Sequence, residues 1–266
     1  MIASLSGCGS LARNPVPSEQ TAEARIPGMP DVRAWAGRPS AAMERDFAQS
    51  IAQESPAEFP RGSDGTVRYP HLVLSGGGAN GAFGAGFLNG WSETGTRPVF
   101  KIVTGVSTGA LMAPFAFLGS SSDAALREFY TTTTTRDIFR LGSILGALLS
   151  GESRADTGPL AALIARHVDE PFLREIADVH ARGRRLYLAT ADLDSQQFVV
   201  WNMGLIAESG HPESLDLFRK VMLASASIPI AFPPVFFEVE AGGRRYDEMH
   251  VDGAVGATIF LHGGVF

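Results

Sequence analysis

The sequence predicts an α/β fold, and three stretches carry that prediction. A short apolar run over residues 71–75, a helical pattern over 80–93 and a second apolar run over 100–105 fall within about 35 residues, the spacing of a βαβ unit with parallel strands. Gly105-Val106-Ser107-Thr108-Gly109 then joins that second strand to a further apolar helical pattern over 108–118. Downstream, residues 185–193 and 197–203 read as strands, 213–225 as a helix, and 235–240 and 244–251 as a hairpin around Ala241-Gly242-Gly243.

Bulk properties bound the function. The 266 residues are 45% hydrophobic, enough to bury a full core as one large domain or two small ones. The net charge of −6 and the lack of a basic stripe argue against nucleic acid held through its phosphates. Arg182, Arg184 and Arg185 form the only concentrated positive run, and it reads as a solvated turn before a strand. No apolar run reaches the roughly 18 residues of a membrane-spanning helix. Cys8 is the single cysteine, which excludes an intrachain disulfide and a Cys-rich metal site.

Along the chain, Leu5-Ser6-Gly7-Cys8 resembles a bacterial lipobox, where the cysteine is lipidated. Only seven residues precede Cys8 and none is basic, so either the signal peptide is longer than the recorded start or the match is chance. The expectation is a signal-peptide remnant over 1–8, with lipidation at Cys8 and an envelope location, periplasmic or outer-membrane. Without that lipid the expected location is cytoplasmic. Residues 9–66 read as a Pro/Ala-rich tether and lead-in, broken by Pro15, Pro17, Pro27, Pro30 and Pro39. One helix is expected inside it, over 41–53, with Met43, Phe47 and Ile51 on one face. Residues 67–266 form the expected main domain. The five threonines 131–135 are a local bias. Leu141, Ile144, Leu145, Leu148 and Leu149 share a helical face whose opposite side has no charge, which fits either core packing or an acyl-chain wall touching membrane.

Two motifs carry the chemistry. Gly105 to Gly109 is a G-x-S-x-G pattern in the strand-to-helix context that a nucleophile elbow requires. Its glycines leave room for a sharp turn, and Ser107 projects at a helix N-terminus where the dipole favours negative charge. The bland reading is a βα turn with a capping serine. Gly76-Gly77-Gly78, with Ala79, Asn80 and Gly81 behind them, follows the neighbouring strand, so loop and elbow emerge side by side on one sheet edge. Gly76, Gly77, Gly78, Ala79 and Gly81 are then the expected oxyanion-hole residues beside Ser107, with the backbone N–H groups of Gly77 and Gly78 as the leading donors. Gly76, Gly78 and Gly81 also satisfy G-x-G-x-x-G, but the next strand runs into the serine elbow rather than ending in the acidic residue a dinucleotide fold wants. No Gly-Lys-Ser/Thr closes a P-loop, so no nucleotide partner is expected.

A serine nucleophile needs a base. His71, His167, His180, His211, His250 and His262 are available, none in a strong motif. Asp252-Gly253-Ala254 ends the second hairpin strand, where an ordinary turn is the competing reading. His250 and Asp252 lie two apart on one strand and share a face, so spacing alone leaves both open; the bland reading of His250 is a partly exposed strand residue.

Taken together, Gly76-Gly77-Gly78-Ala79-Asn80-Gly81, Gly105 to Gly109 and Asp252-Gly253-Ala254, in that order, resemble the patatin-like phospholipase family. Residues 189–194, 224–229 and 232–235 resemble further segments of it, and the likeness covers about residues 68–256. The resemblance implies a three-layer sandwich with a mainly parallel central sheet and helices on both faces. It implies a serine lipid acyl hydrolase of phospholipase A or lysophospholipase type, working through a Ser107–Asp252 dyad and an acyl-enzyme, with no metal or cofactor. Lipid at a membrane surface is the implied partner. Asn80 stands where the family often has a basic residue, and the chain ends soon after Asp252 where relatives commonly continue. Two alternatives accompany this reading: an esterase with a Ser–Asp–His triad, and a catalytically silent lipid-binding envelope protein.

Overall fold

The computed structural model describes residues 13–131 and 157–261. Cys8, the lipobox-like stretch, the threonines beyond 131, the predicted helix over 141–150 and His262 lie outside the described residues.

Seven strands form one sheet: β1 (Arg33–Trp35), β2 (His71–Leu74), β3 (Ile102–Val106), β4 (Arg185–Asp192), β5 (Gln197–Asn202), β6 (Val235–Ala241) and β7 (Arg244–Asp252). The strand order is β1-β5-β4-β3-β2, with β7 on β4 and β6 on β7. Only β2–β3 and β3–β4 are parallel; the other pairings are antiparallel. The sheet is therefore mixed rather than mainly parallel. Parallel neighbours need a long crossover, and helices connect β2 to β3 and β3 to β4. Short turns join β4 to β5 and β6 to β7, which pair antiparallel. Gly242 and Gly243, at φ 54° and 74°, make the two-residue turn that matches hairpin twist, as the sequence predicts.

Helices cover the two faces unequally. α2 (Gly81–Glu93), α3 (Thr108–Leu118), α4 (Asp123–Thr131), α5 (Gly158–His167), α6 (Glu170–Ala181), α7 (Met203–Glu208) and α8 (Ser214–Ser225) follow α1 (Ala41–Gln53). Val103, Leu186, Leu188, Val199 and Trp201 pack with α2–α8 in the larger core. Their neighbours Ile102, Val106, Tyr187, Ala189 and Val200 turn to the opposite face, against Met43 of α1 and Phe260. Strand alternation thus builds both layers from the same strands.

The described part of the expected tether is not free. Ala24, Ile26, Met29 and Val32 are buried, Arg25 and Glu240 exchange backbone hydrogen bonds, and β1 extends the sheet beyond β5. Arg13 bridges Asp194 and Asp247 at 2.6 Å each. The prolines that break regular structure here do not prevent packing. α1 has the expected span, yet it buries Met43, Asp46 and Ser50 and leaves Phe47 and Ile51 at the surface. Polar anchoring decides the face. Asp46 takes Arg185 Nε at 2.7 Å and Asn202 Nδ2 at 2.8 Å, while Ser50 donates to the Gly183 carbonyl. The basic run is accordingly not a solvated turn. Arg184 and Arg185 are buried, Arg184 donating to the carbonyls of Phe100 and Phe117, and burial lowers its pKa to about 10. Arg182 alone stays exposed.

Candidate active site

Ser107 occupies the turn between β3 and α3 with φ 56° and ψ −126°, a conformation costly for a residue with a Cβ. The surrounding glycines permit it by close approach. A Cβ on Gly105 would run into the carbonyl of Gly109, and one on Gly109 would collide with the Leu74 carbonyl at the end of β2. Strand and helix can therefore meet only through bare backbone. Ser225, wholly buried at the end of α8, secures the turn: its Oγ accepts the Ser107 N–H at 3.0 Å and donates to the Ala189 carbonyl at 2.6 Å. Sequence reasoning placed Ser225 in a family-like segment but assigned it no role.

The sheet topology brings Asp252 to this serine. β3 pairs with β4 from Arg185 to Ala189, and β7 pairs with the same edge from Thr190 to Asp192. β3 and β7 run in opposite directions, so their C-terminal ends meet beside β4. Ser107 Oγ donates to Asp252 Oδ2 at 2.6 Å across 145 residues of sequence. Asp252 Oδ1 accepts the Ala254 N–H at 2.8 Å, and its own N–H goes to the Ser227 carbonyl at 2.9 Å. Gly253 has no room for a Cβ against the Ala189 carbonyl. Burial pushes the Asp252 carboxyl above the ordinary carboxylate range, against the opposing pull of the hydrogen bonds from Ser107 and Ala254.

The glycine loop lies beside the pair, but its members differ in what they can do. The Gly76 N–H is engaged by the Thr258 carbonyl at 3.0 Å, so Gly76 is not an oxyanion donor. It serves by lacking a side chain: a Cβ there would sit 3.3 Å from Ser107 Cβ and 3.4 Å from Ala254 Cβ. The Gly77, Gly78 and Ala79 N–H groups have no protein acceptor among the described residues. Gly81, counted with the loop from sequence, is a packing residue, since a Cβ would collide with Thr108 Oγ1.

No histidine hydrogen-bonds Ser107 or Asp252 among the described residues. His250 is fully buried rather than partly exposed; Nδ1 pairs with Thr190 Oγ1 at 2.8 Å and Nε2 with Glu248 Oε2 at 3.2 Å. Glu248 is forked by Arg33 as well. Burial opposes its ionisation, yet Arg33 and His250 hold its pKa down to about 2. Asp192, Glu248 and His250 place ligand-type atoms within 4.8 Å of one another. That set is engaged by Arg33, by Thr190 and by Ser195 on Asp192, and a cation there would face the Arg33 guanidinium.

A serine on a strained strand-to-helix elbow, bonded to a buried carboxylate beside a glycine loop with unengaged N–H groups, has the geometry of the serine acyl hydrolases. The model of the patatin-like phospholipase family matches residues 72–263, and the chain belongs to that family, whose members are lipid acyl hydrolases. Among solved structures, the chain is similar to VipD from Legionella pneumophila, at 14% identity and a TM-score of 0.45 over 77% of this chain and 50% of that one. It thus spans about half the length of that protein. None of the curated proteins matches the chain.

Proposed function

We propose that this chain cleaves acyl esters of phospholipids or lysophospholipids through a Ser107–Asp252 dyad. The observation that carries the proposal is the 2.6 Å hydrogen bond from Ser107 Oγ to Asp252 Oδ2, within a site where both residues are buried. Ser107 Oγ attacks the acyl carbonyl carbon as Asp252 takes its proton. Negative charge collects on the carbonyl oxygen, where the Gly77, Gly78 and Ala79 N–H groups receive it. The C–O bond to the leaving alcohol breaks, and Asp252 returns the proton to that alcohol. A water then attacks the acyl-serine while Asp252 accepts its proton. The second tetrahedral species collapses, Ser107 recovers a proton from Asp252, and the fatty acid leaves.

Exposed apolar residues around this edge support a lipid surface as the place of action. Phe83 and Phe87, on the helix that follows the glycine loop, are 79% and 58% exposed, and with Ala82, Gly86 and Gly90 they make a solvent-facing strip without charge. Ile230, in the loop beyond the Ser225–Ser227 turn, and Val255, after Asp252, are exposed as well. Apolar area, rather than attraction to anionic headgroups, suits a chain with a net charge of −6. The proposal includes an envelope location held by lipidation at Cys8. Mass spectrometry of the protein from its native host tests that part, and an unmodified Cys8 refutes it.

The test of the dyad compares Ser107→Ala, Asp252→Asn and His250→Gln on phospholipid, lysophospholipid and p-nitrophenyl ester substrates, with a fluorophosphonate probe reporting the nucleophile. Ser107→Ala is expected to lose both hydrolysis and labelling, and Asp252→Asn to lose hydrolysis. A folded His250→Gln is expected to keep measurable turnover. Equal labelling of wild type and Ser107→Ala refutes the nucleophile. An active Asp252→Asn beside a dead, folded His250→Gln refutes the dyad.

A further inference from the structure

Four arginines from the short segment between residues 25 and 45 meet at the open edge of the sheet. Arg25, Arg33, Arg38 and Arg45 line a cavity of about 380 Å³ between β1 and the first turn of α1. Asp31 is the single acid lining it, and it reaches Arg45 only through an exposed contact of 3.4 Å. Glu248 neutralises Arg33 from the protein side. Arg25 and Arg38 have no acidic partner among the described residues, in a chain whose net charge is −6.

Two residues of the lining, Arg33 and Trp35, also carry buried donors without acceptors. Trp35 is 7% exposed and Arg33 4% exposed. Trp35 Nε1 and Arg33 Nε have no hydrogen-bond partner among the described residues, where each such donor costs about 1–3 kcal/mol. The Trp35 ring has two guanidiniums near its face, Arg25 at 5.7 Å and Arg33 at 5.1 Å from its centroid.

The backbone adds to this surplus. Val32 and Ala36 hydrogen-bond to β5, so by alternation the N–H groups of Arg33 and Trp35 face away from it, toward the open edge. Ala41 and Ala42 line the cavity at the start of the 13-residue α1, where the first N–H groups have no intrahelical acceptor and the dipole is positive. The guanidiniums of Arg25, Arg38 and Arg45, edge-strand N–H groups and a helix N-terminus surround one cavity, and Asp31 is the one carboxylate in its lining. We propose that this cavity binds a phosphate monoester, whose dianionic oxygens match several arginine forks at once. The hydrolase site takes a neutral ester and lies with β3 and β7, whereas this cavity lies along β1, so the two would act on different groups.

The experiment uses the full chain, wild type and Arg38→Gln/Arg45→Gln, with Trp35→Phe as a second variant that keeps the ring and removes one buried donor. Both arginines are exposed, so the double variant is expected to keep the wild-type unfolding midpoint. Calorimetric titration uses inorganic phosphate and inositol trisphosphate, with uncharged inositol as control. Vesicle co-sedimentation uses phosphatidylcholine doped with a phosphoinositide and, separately, with phosphatidylserine. The phosphorylated probes are expected to bind wild type, to raise its unfolding midpoint, and to bind the double variant about 10- to 100-fold more weakly. Binding in the soluble arm alone supports a free phosphorylated ligand. Binding to phosphoinositide vesicles but not to phosphatidylserine supports a lipid headgroup. Absence of binding in every arm, equal affinity in wild type and the double variant, or equal binding of inositol or phosphatidylserine overturns the proposal.

Discussion

Replacing Ser225 with alanine tests the elbow from outside the reacting atoms. Two hydrogen bonds vanish: the one holding the Ser107 N–H at 3.0 Å and the one to the Ala189 carbonyl at 2.6 Å. Both groups are buried, and each left without a partner costs about 1–3 kcal/mol, so a loss of roughly 2–6 kcal/mol in unfolding free energy is expected. The kinetic effect is separate. Ser107 holds a strained φ of 56°, and strain of this kind, about 1–3 kcal/mol, persists only where the surroundings enforce it. Once the N–H is released the turn relaxes and Oγ leaves its line to Asp252 and the glycine loop. A displacement of about 1 Å in a reacting atom can cost 10²-fold in rate. Turnover is therefore expected to fall about 10²-fold with KM changed little, because no surface that faces substrate is altered. Ser225→Cys, which keeps a weak donor and acceptor at that position, is expected to recover part of kcat. The assay is steady-state hydrolysis of a soluble p-nitrophenyl ester, with denaturant midpoints measured alongside. A folded Ser225→Ala with wild-type kcat refutes the idea that this side chain positions the nucleophile. So does a kcat loss equal in the alanine and cysteine variants.

Three more outcomes follow from the geometry. Burial raises the Asp252 pKa, so the acidic limb of kcat/KM is expected above the ordinary Asp value of about 3.9. A folded-state pKa above the unfolded one means that native Asp252 holds its proton more tightly. Its contribution to stability is thus fullest in acid and declines as pH rises through that window; Asp252→Asn should be the more stable protein at neutral pH, and this advantage should vanish in acid, as thermal unfolding across pH will check. Gly109→Ala should destabilise the fold by about 1–3 kcal/mol and abolish turnover, because its Cβ meets the Leu74 carbonyl; a stable, active variant refutes the close approach. Phe83→Ser/Phe87→Ser should raise KM on vesicles and leave the soluble ester unchanged; unchanged vesicle kinetics count against contact of that strip with lipid.

What could be read in advance divides by range along the chain. The βαβ unit, the elbow and the Gly242-Gly243 turn are local patterns: glycines at fixed offsets and apolar periodicity fall within one window. β1 is not local. Three residues, Arg-Ala-Trp, become a strand only because β5, more than 160 residues later, pairs with them. The buried arginines have the same origin. Arg185 can be inside because Asp46 arrives 139 residues away, and that same pairing turns the polar face of α1 inward. For the site, the serine and aspartate are legible as motifs, but the loss of Gly76 as a donor depends on Thr258, and the hold on the elbow depends on Ser225. Neither partner carries a sequence signal for those roles.

The head-to-head meeting of β3 and β7 along β4 also has a consequence in time. Synthesis delivers Ser107 early and Asp252 among the last residues of the β4–β7 half, and domains largely fold in the order they emerge. A nascent chain can complete β2, β3 and the elbow and still lack any carboxylate beside the serine. Under the proposed dyad, hydrolytic competence would arrive only when β7 docks on the edge of β4 that β3 leaves open, and a chain interrupted before residue 252 would stay inert.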